Sequence, residues 1–346
     1  MSKFDLSELR ERVLGYFGEL RDADGPYGCI RMARGQRADL YSSVDFAITR
    51  TIMGEDLLRT VSAADRQAWT NHINSFTETF HWQTPDGSYF DRMGHSKLHA
   101  NGQVVSALGV IGGKQCYANR LYDGFSTPEK IGPWLESEVN WRMPWNESHK
   151  FWGGLHCFSR STHCPAGWLD ACFAWLDANV DMDTGFWRKG VPAKERIYYL
   201  GGAVHILPIY EHLRRDFPCP ERLADSVLDL QLAVGCWLDP RNPLSYMDLD
   251  ALYVFHLIRR WRPTYRADAI QQAVERFTDT ALRFYREQEH EIYLRHPHFV
   301  MAAAGVFGLL SRLNPERVRD GDGVVWTDIF SDDRFHQTAA VEVDRG

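Results

Sequence analysis

No apolar run in the chain approaches the ~18–20 residues of a membrane-spanning helix, so no membrane span is expected. There is no basic stripe either. Lys and Arg total 39 against 46 Asp and Glu, a net charge of −7, which argues against nucleic acid as a partner. The opening residues Met1 to Arg12 are charged and lack the apolar centre of a signal peptide. Seven cysteines, an odd number in a chain of 346 residues, do not make a disulfide framework. A cytoplasmic location is expected. Strand patterning is also scarce, and only short pieces such as Val324-Val325-Trp326 suit an edge strand.

Hydrophobic residues make up 44% and charged residues 25%, the ordinary balance of a globular chain. The 12 Trp, 19 Phe and 14 Tyr are less ordinary, and either fill a wide core or line a cavity. The stretch from Ser62 to Gly113 shows the underlying pattern. Ser62 to Asp65 resembles a capping box, and Trp69, Ile73, Phe76 and Phe80 form one apolar stripe. Pro85-Asp86-Gly87-Ser88 turns the chain. A second helix from about His99 is apolar on nearly every face between Val104 and Ile111, and Gly112-Gly113 ends it. A one-sided helix followed by an all-round apolar one predicts an outer helix covering an inner helix.

The same alternation recurs along the chain. Phe4 to Leu20, with Leu6, Leu9, Val13, Phe17 and Leu20 on one face, precedes an inner helix from Tyr41 to Gly54 with Asp45 in its first turn. Thr127 to Val139 precedes an inner segment from Ser148 to about Arg160. Ala166 to Ala178 precedes Tyr198 to Arg214, in which Pro208 predicts a kink or break. Leu223 to Val234 precedes Met247 to Arg260, and Ile270 to Phe284 precedes His298 to Leu313. Six helical hairpins with a weak repeat of roughly 45–50 residues predict an all-α (α/α)6 toroid, a double ring of helices. It spans residues 1–313 as one domain and leaves 314–346 as an irregular tail.

Two features carry a resemblance. One is the Asp-Gly-aromatic turn at Asp86-Gly87-Ser88-Tyr89, echoed at Thr184-Gly185-Phe186-Trp187. The other is Asp248-Leu249-Asp250-Ala251-Leu252 at the start of an inner helix. In these the chain resembles the α/α-toroid superfamily of terpenoid cyclases and protein prenyltransferase β-subunits. Six-hairpin glycosidases, polysaccharide lyases and sugar epimerases share that architecture. The resemblance to class II cyclases implies Asp250 as the protonating acid, with Ala251 standing where their motif ends in Asp. The resemblance to toroid lyases implies that Asn146 and His149 hold a uronate carboxylate, with Tyr198 or Tyr199 as acid/base.

Parallel inner helices gather their N-termini at one end, so residues near each start should converge there. These are Asp45, His95, His99, His149, Trp152, His156, Tyr198, Tyr199, His205, Asp248, Asp250, His296 and His298. A lone Asp at such a place is most often a cap, and a lone His a satisfied structural residue. Recurrence in nearly every hairpin points instead to a site. Asp250, Asp248, Asp45, His149, Tyr199 and His205 are the catalytic candidates. His99, Asn146, Trp152, His156, Trp187, Tyr198 and His298 are the substrate-binding candidates, with Trp152 and Trp187 as stacking walls. The run His156-Cys157 and His163-Cys164 carries zinc-type ligands. Adjacent helical residues diverge by about 100°, however, so no metal site and no cofactor are assigned.

Acid–base chemistry on a small-molecule or oligosaccharide substrate, a carbohydrate or uronate-containing glycan, is the leading expectation, as hydrolase, lyase or epimerase. A class II-like terpenoid cyclase and a non-catalytic binding toroid are the alternatives.

Overall fold

A computed structural model of the chain describes residues 3–77, 88–89, 94–116, 119–187, 190–287 and 296–336. Asp5 ends a two-residue strand, β1 (Phe4–Asp5), and caps α1 (Leu6–Leu20), accepting from the Ser7 N–H at 2.9 Å. Leu6, Leu9, Val13, Phe17 and Leu20 are the buried face of α1, as their spacing predicts. The next inner helix, α2 (Leu40–Ile52), starts one residue earlier than expected, because Asp39 forms a capping box with Ser42. Asp45 therefore sits in the second turn of α2 and does no capping.

A short α3 (Leu57–Thr60) leads to α4 (Ala63–Asn74), which Ser62 caps through the Asp65 N–H at 3.1 Å. Trp69 and Ile73 are buried, and Phe76 lies just past the helix end. Phe80 and the Pro85-Asp86-Gly87 turn lie outside the described residues. Helix α5 (Lys97–Ile111) runs from a Ser96 cap to Gly112 at φ 71°, with almost every side chain from Ala100 onward buried.

Then follow α6 (Pro128–Ser137), a π-helical stretch π1 (Lys150–His156), α7 (Cys157–Ser159) and α8 (Trp168–Asn179). Pro208 enters the first turn of a new helix, so the fourth inner segment divides into α9 (Ile197–Val204) and α10 (Leu207–His212). The remaining helices are α11 (Pro220–Leu230), α12 (Tyr246–Trp261), α13 (Ala267–Glu287) and α14 (Pro297–Leu313). The described chain is mostly helical, and no described helix is long and apolar enough to cross a membrane.

The all-round buried elements touch one another in a cycle. Helix α2 packs on α5, α5 on π1, π1 on α10, α9 on α12, α12 on α14, and α14 again on α2. The one-sided helices lie outside them. Helix α4 covers α2 and α5, α11 covers α12, and α13 covers α12 and α14. Gly153 is required where π1 meets α5, because a Cβ there would stand 1.7 Å from the Leu98 carbonyl oxygen. At Gly185 (φ 75°), in the turn before Trp187, a Cβ would collide with the Leu223 backbone at 2.5 Å.

Most of the tryptophan surplus is core. Trp69, Trp168, Trp187 and Trp326 are almost fully enclosed, and each indole N–H has a protein acceptor. Each removes ~150–250 Å² from water, roughly 4–6 kcal/mol before side-chain entropy.

Residues 315–336 are built into the fold and are not an irregular tail. Strand β2 (Val318–Arg319) pairs in parallel with β1, Phe4 opposite Val318, tying the two ends of the fold together. Farther on, Trp326, Ile329, Phe330 and Phe335 join the hydrophobic core, and a 3-10 turn (Asp333–His336) lies against α5. The strand falls at 318–319, not at Val324-Val325-Trp326.

Candidate functional site

The starts of α2, α5, α12 and α14 bring together a compact group of aromatic and acidic side chains. On α2, Tyr41 and Asp45 are four residues apart and share a face. Tyr41 stacks on His95 with ring centres 4.4 Å apart, His95 stacks on His99 at 4.5 Å, and the Tyr41 hydroxyl is hydrogen-bonded to His99 Nδ1. His298, in the first turn of α14, donates from Nδ1 to both oxygens of the fully buried Asp45 at 3.2 Å. His296 caps α14 by accepting the His298 N–H at 3.3 Å, a structural duty. Tyr246 opens α12, packs its ring 5.1 Å from that of His298, and donates its hydroxyl to the His298 carbonyl at 2.8 Å.

Burial drives the pKa of His99 well below its ordinary value, and the neighbouring imidazoles of His298, His95, His205 and His149 add to the effect. Burial likewise raises the Tyr246 phenol well above its usual range, with Asp45, Tyr41 and Asp250 adding to it.

Asp250 lies one turn beyond Tyr246 on the same face of α12. It is 1% exposed and neither carboxyl oxygen has a hydrogen-bond partner. Burial, with a smaller contribution from the Asp248 charge, raises its pKa well above the usual carboxyl range. A neutral carboxylic acid with a proton to give is the form this environment favours.

His205 ends α9 and donates from Nδ1 to the Gly201 carbonyl at 2.7 Å, so Nε2 keeps its lone pair. Burial lowers its pKa to about 4, which leaves it neutral at physiological pH. His149, half-buried ahead of π1, is also lowered, chiefly by burial. Trp152 is held on π1 against α5, its ring in the space that a side chain at Gly102 would fill.

Several other candidates are engaged elsewhere in the fold or lie away from this group. Asp248 accepts from the Trp237 N–H at 2.9 Å, the Ser245 N–H at 3.1 Å and the Ser245 hydroxyl at 2.5 Å. It completes the capping box of α12 and pins the preceding loop, although burial still raises it to about 6. Trp187 donates to the Leu176 carbonyl at 2.9 Å and packs on Tyr210 and Phe217, inside the core and not along a cavity wall. The Tyr199 hydroxyl accepts the Ala193 N–H at 2.5 Å, and its ring stacks on Phe186. Tyr198 bonds Glu195 at 3.2 Å, and Asn146 is exposed. Asn101 is an internal hub: it donates to Tyr122 and to the Gly153 carbonyl, and accepts from Gln115 and Asn119.

His156 belongs to a second group, at the far end of π1, with His212 and His336. His336 Nε2 donates to the Phe330 carbonyl at 2.9 Å, so its Nδ1 accepts from His156 Nε2, also at 2.9 Å. His212 Nε2 donates to the same carbonyl at 2.6 Å. A void of about 10 Å³ beside Trp152, His156, Arg160 and His336 has room for one water at most. This group fastens the tail to the inner helices. Cys157 and Cys164 join neither histidine group, and burial raises their thiols to about 12 and about 11. That is opposite to what a thiolate ligand requires.

Tyr41, Tyr246, His212 and His336 were not among the candidates in the sequence. The two tyrosines look like ordinary helix-start aromatics, although each stands four residues before a singled-out Asp. No family model, no curated protein and no solved structure matches this chain.

Proposed function

We propose that the chain is an (α/α)6 toroid acting as an acid–base enzyme on a polar, carbohydrate-like substrate held where α2, α5, α12 and α14 begin. The cyclic packing of the inner helices supports the ring. The observation that carries the activity is Asp250, a buried carboxyl with no partner and a raised pKa. An isolated buried acid weakens a fold, and such groups concentrate where a proton is transferred.

In this reading Asp250 donates a proton to a leaving or carbonyl oxygen. His205, neutral and with Nε2 bare, accepts one elsewhere on the substrate. Trp152 offers an apolar wall. Tyr41, His95 and His99 form a flat stack suited to a polar ring. A class II-like cyclase would use the same Asp250, but the bare imidazole nitrogen of His205 would quench a carbocation.

A thermal-shift screen against uronates, neutral oligosaccharides and isoprenoid diphosphates tests the substrate class. Stabilisation by a sugar, retained in Asp250→Asn while turnover disappears, is the expected result. Stabilisation by the diphosphate alone would favour the cyclase. Full turnover in Asp250→Asn would remove the acid from the mechanism, and no shift with any compound would favour the binding toroid.

A further inference from the structure

We propose that His95, His99 and His298 bind one divalent transition-metal ion of the zinc class. One ring nitrogen from each lies within 4.8 Å of the other two, and the loop ahead of α5, α5 itself and α14 supply them. Zinc–nitrogen bonds of about 2.0–2.1 Å separate tetrahedral ligand atoms by roughly 3.3 Å. Because His95 and His99 are stacked with 15° between their ring planes, closing the difference requires the His95 ring to turn out of the stack until its lone pair meets those of His99 and His298.

The groups behind the imidazoles are an independent observation. Asp45, fully buried, holds His298 by Nδ1, and Tyr41 holds His99 by Nδ1. With Nδ1–H donating to Asp45 in His298 and to the Tyr41 oxygen in His99, Nε2 is the nitrogen that meets the ion in each ring. A carboxylate or hydroxyl behind a ligating histidine fixes its tautomer and orientation and makes it a better donor. In the second histidine group one carboxylate, that of Asp333, stands 3.5 Å from His212 Nδ1, but most of the remaining ring nitrogens are taken. His156 and His336 are bonded to each other, His212 and His336 share the Phe330 carbonyl, and the Arg160 guanidinium donates to the His336 carbonyl nearby. Of that group's ring nitrogens only His156 Nδ1 is left without a partner, and a neighbouring cation opposes a second one.

Three imidazoles suit zinc, cobalt, nickel or copper better than magnesium or calcium. They leave a fourth position for water or a substrate oxygen, where the ion would serve as a Lewis acid. Metal binding stands independently of the sugar reading, because it is measured without substrate.

The full-length protein, stripped with chelator, is titrated with zinc chloride and with cobalt(II), with magnesium as control. The expected result is one equivalent of zinc, and visible cobalt bands of a four-coordinate site without the charge-transfer absorption of a cysteine ligand. His95→Ala, in the loop ahead of α5, and His298→Ala lose the bound equivalent. Asp45→Asn weakens binding about 10–100-fold. His336→Ala, in the other group, keeps it. Absence of a bound equivalent in the unmodified protein overturns the proposal whatever the variants do. So does cysteine charge transfer, or binding that survives His95→Ala and His298→Ala but not His336→Ala. A failure of zinc binding leaves the sugar screen intact, and a failure of that screen leaves the metal titration intact.

Discussion

Replacing Asp250 with Asn should make the protein more stable at neutral pH while removing its turnover. In the folded chain the carboxyl is buried without a hydrogen bond, and its pKa is raised well above the ordinary 3.8. The unfolded chain ionises the same group near 3.8. A raised folded pKa means that this contribution is harmless below the unfolded value and erodes stability as pH rises towards the folded one. Within that window the group removes about 1.4 kcal/mol of stability per pH unit.

For 346 residues, an unfolding entropy of about 2.1 cal/mol/K per residue gives roughly 0.7 kcal/mol per degree. The Tm of Asp250→Asn should therefore gain on that of the unmodified protein by about 2 °C per pH unit above about pH 5, then level off at the folded pKa. Differential scanning calorimetry of both proteins across buffers from about pH 4 to about pH 9 measures the gap. Asp250→Leu, which removes both orphan oxygens, should add a further gain of about 1–3 kcal/mol where packing allows. A gap that is flat with pH would refute the buried neutral acid. A loss of stability in Asp250→Asn would mean that the carboxylate holds a part of the fold.

Asp248→Ala strands the Trp237 and Ser245 N–H groups and should cost about 2–4 kcal/mol, read by urea unfolding, because capping and buried hydrogen bonds are lost together. His205→Gln should lower turnover by about 10²–10⁴ once a substrate is in hand, whereas Tyr199→Phe should leave kcat unchanged and lose about 1 kcal/mol of stability. Burial keeps His156 and His336 neutral with pKa values well below 6.5, so the stability they contribute is present above that value and lost as pH falls below it. Thermal unfolding should therefore weaken on acidification from about pH 7 to about pH 5, and less steeply in His156→Gln. An unchanged slope in that variant would exclude His156 from the acid response.

Periodicity and punctuation carried most of the secondary structure. The stripe Leu6-Leu9-Val13-Phe17-Leu20, the Ser62 cap, the Gly112 stop and the break at Pro208 depend on neighbours a few residues away, so they are legible in one dimension. The contrast between one-sided and all-round apolar helices likewise anticipated which helices are buried on nearly every face. The 314–346 segment was harder. Its core residues Trp326, Phe330 and Phe335 are spaced irregularly, and its strand exists only because β1, more than 300 positions earlier, lies beside it.

The candidate site was half legible. Histidines and acids at helix starts are visible in the chain, and Asp45, His95, His99 and His298 do come together. Which of two nearby aspartates caps and which stands unpaired is not visible. Asp248 and Asp250 differ by two positions, about 200° around α12, and that rotation alone turns one to the Trp237 loop and the other inward. Nor does the chain reveal that His156 is taken by a partner 180 residues away. The sequence by itself determined the helices, their buried faces and the supply of imidazole and carboxyl groups, because these follow from local spacing. Only the tertiary structure decided which of those groups are satisfied and which are left without a partner, because desolvation and hydrogen bonding depend on what the far parts of the chain bring against them.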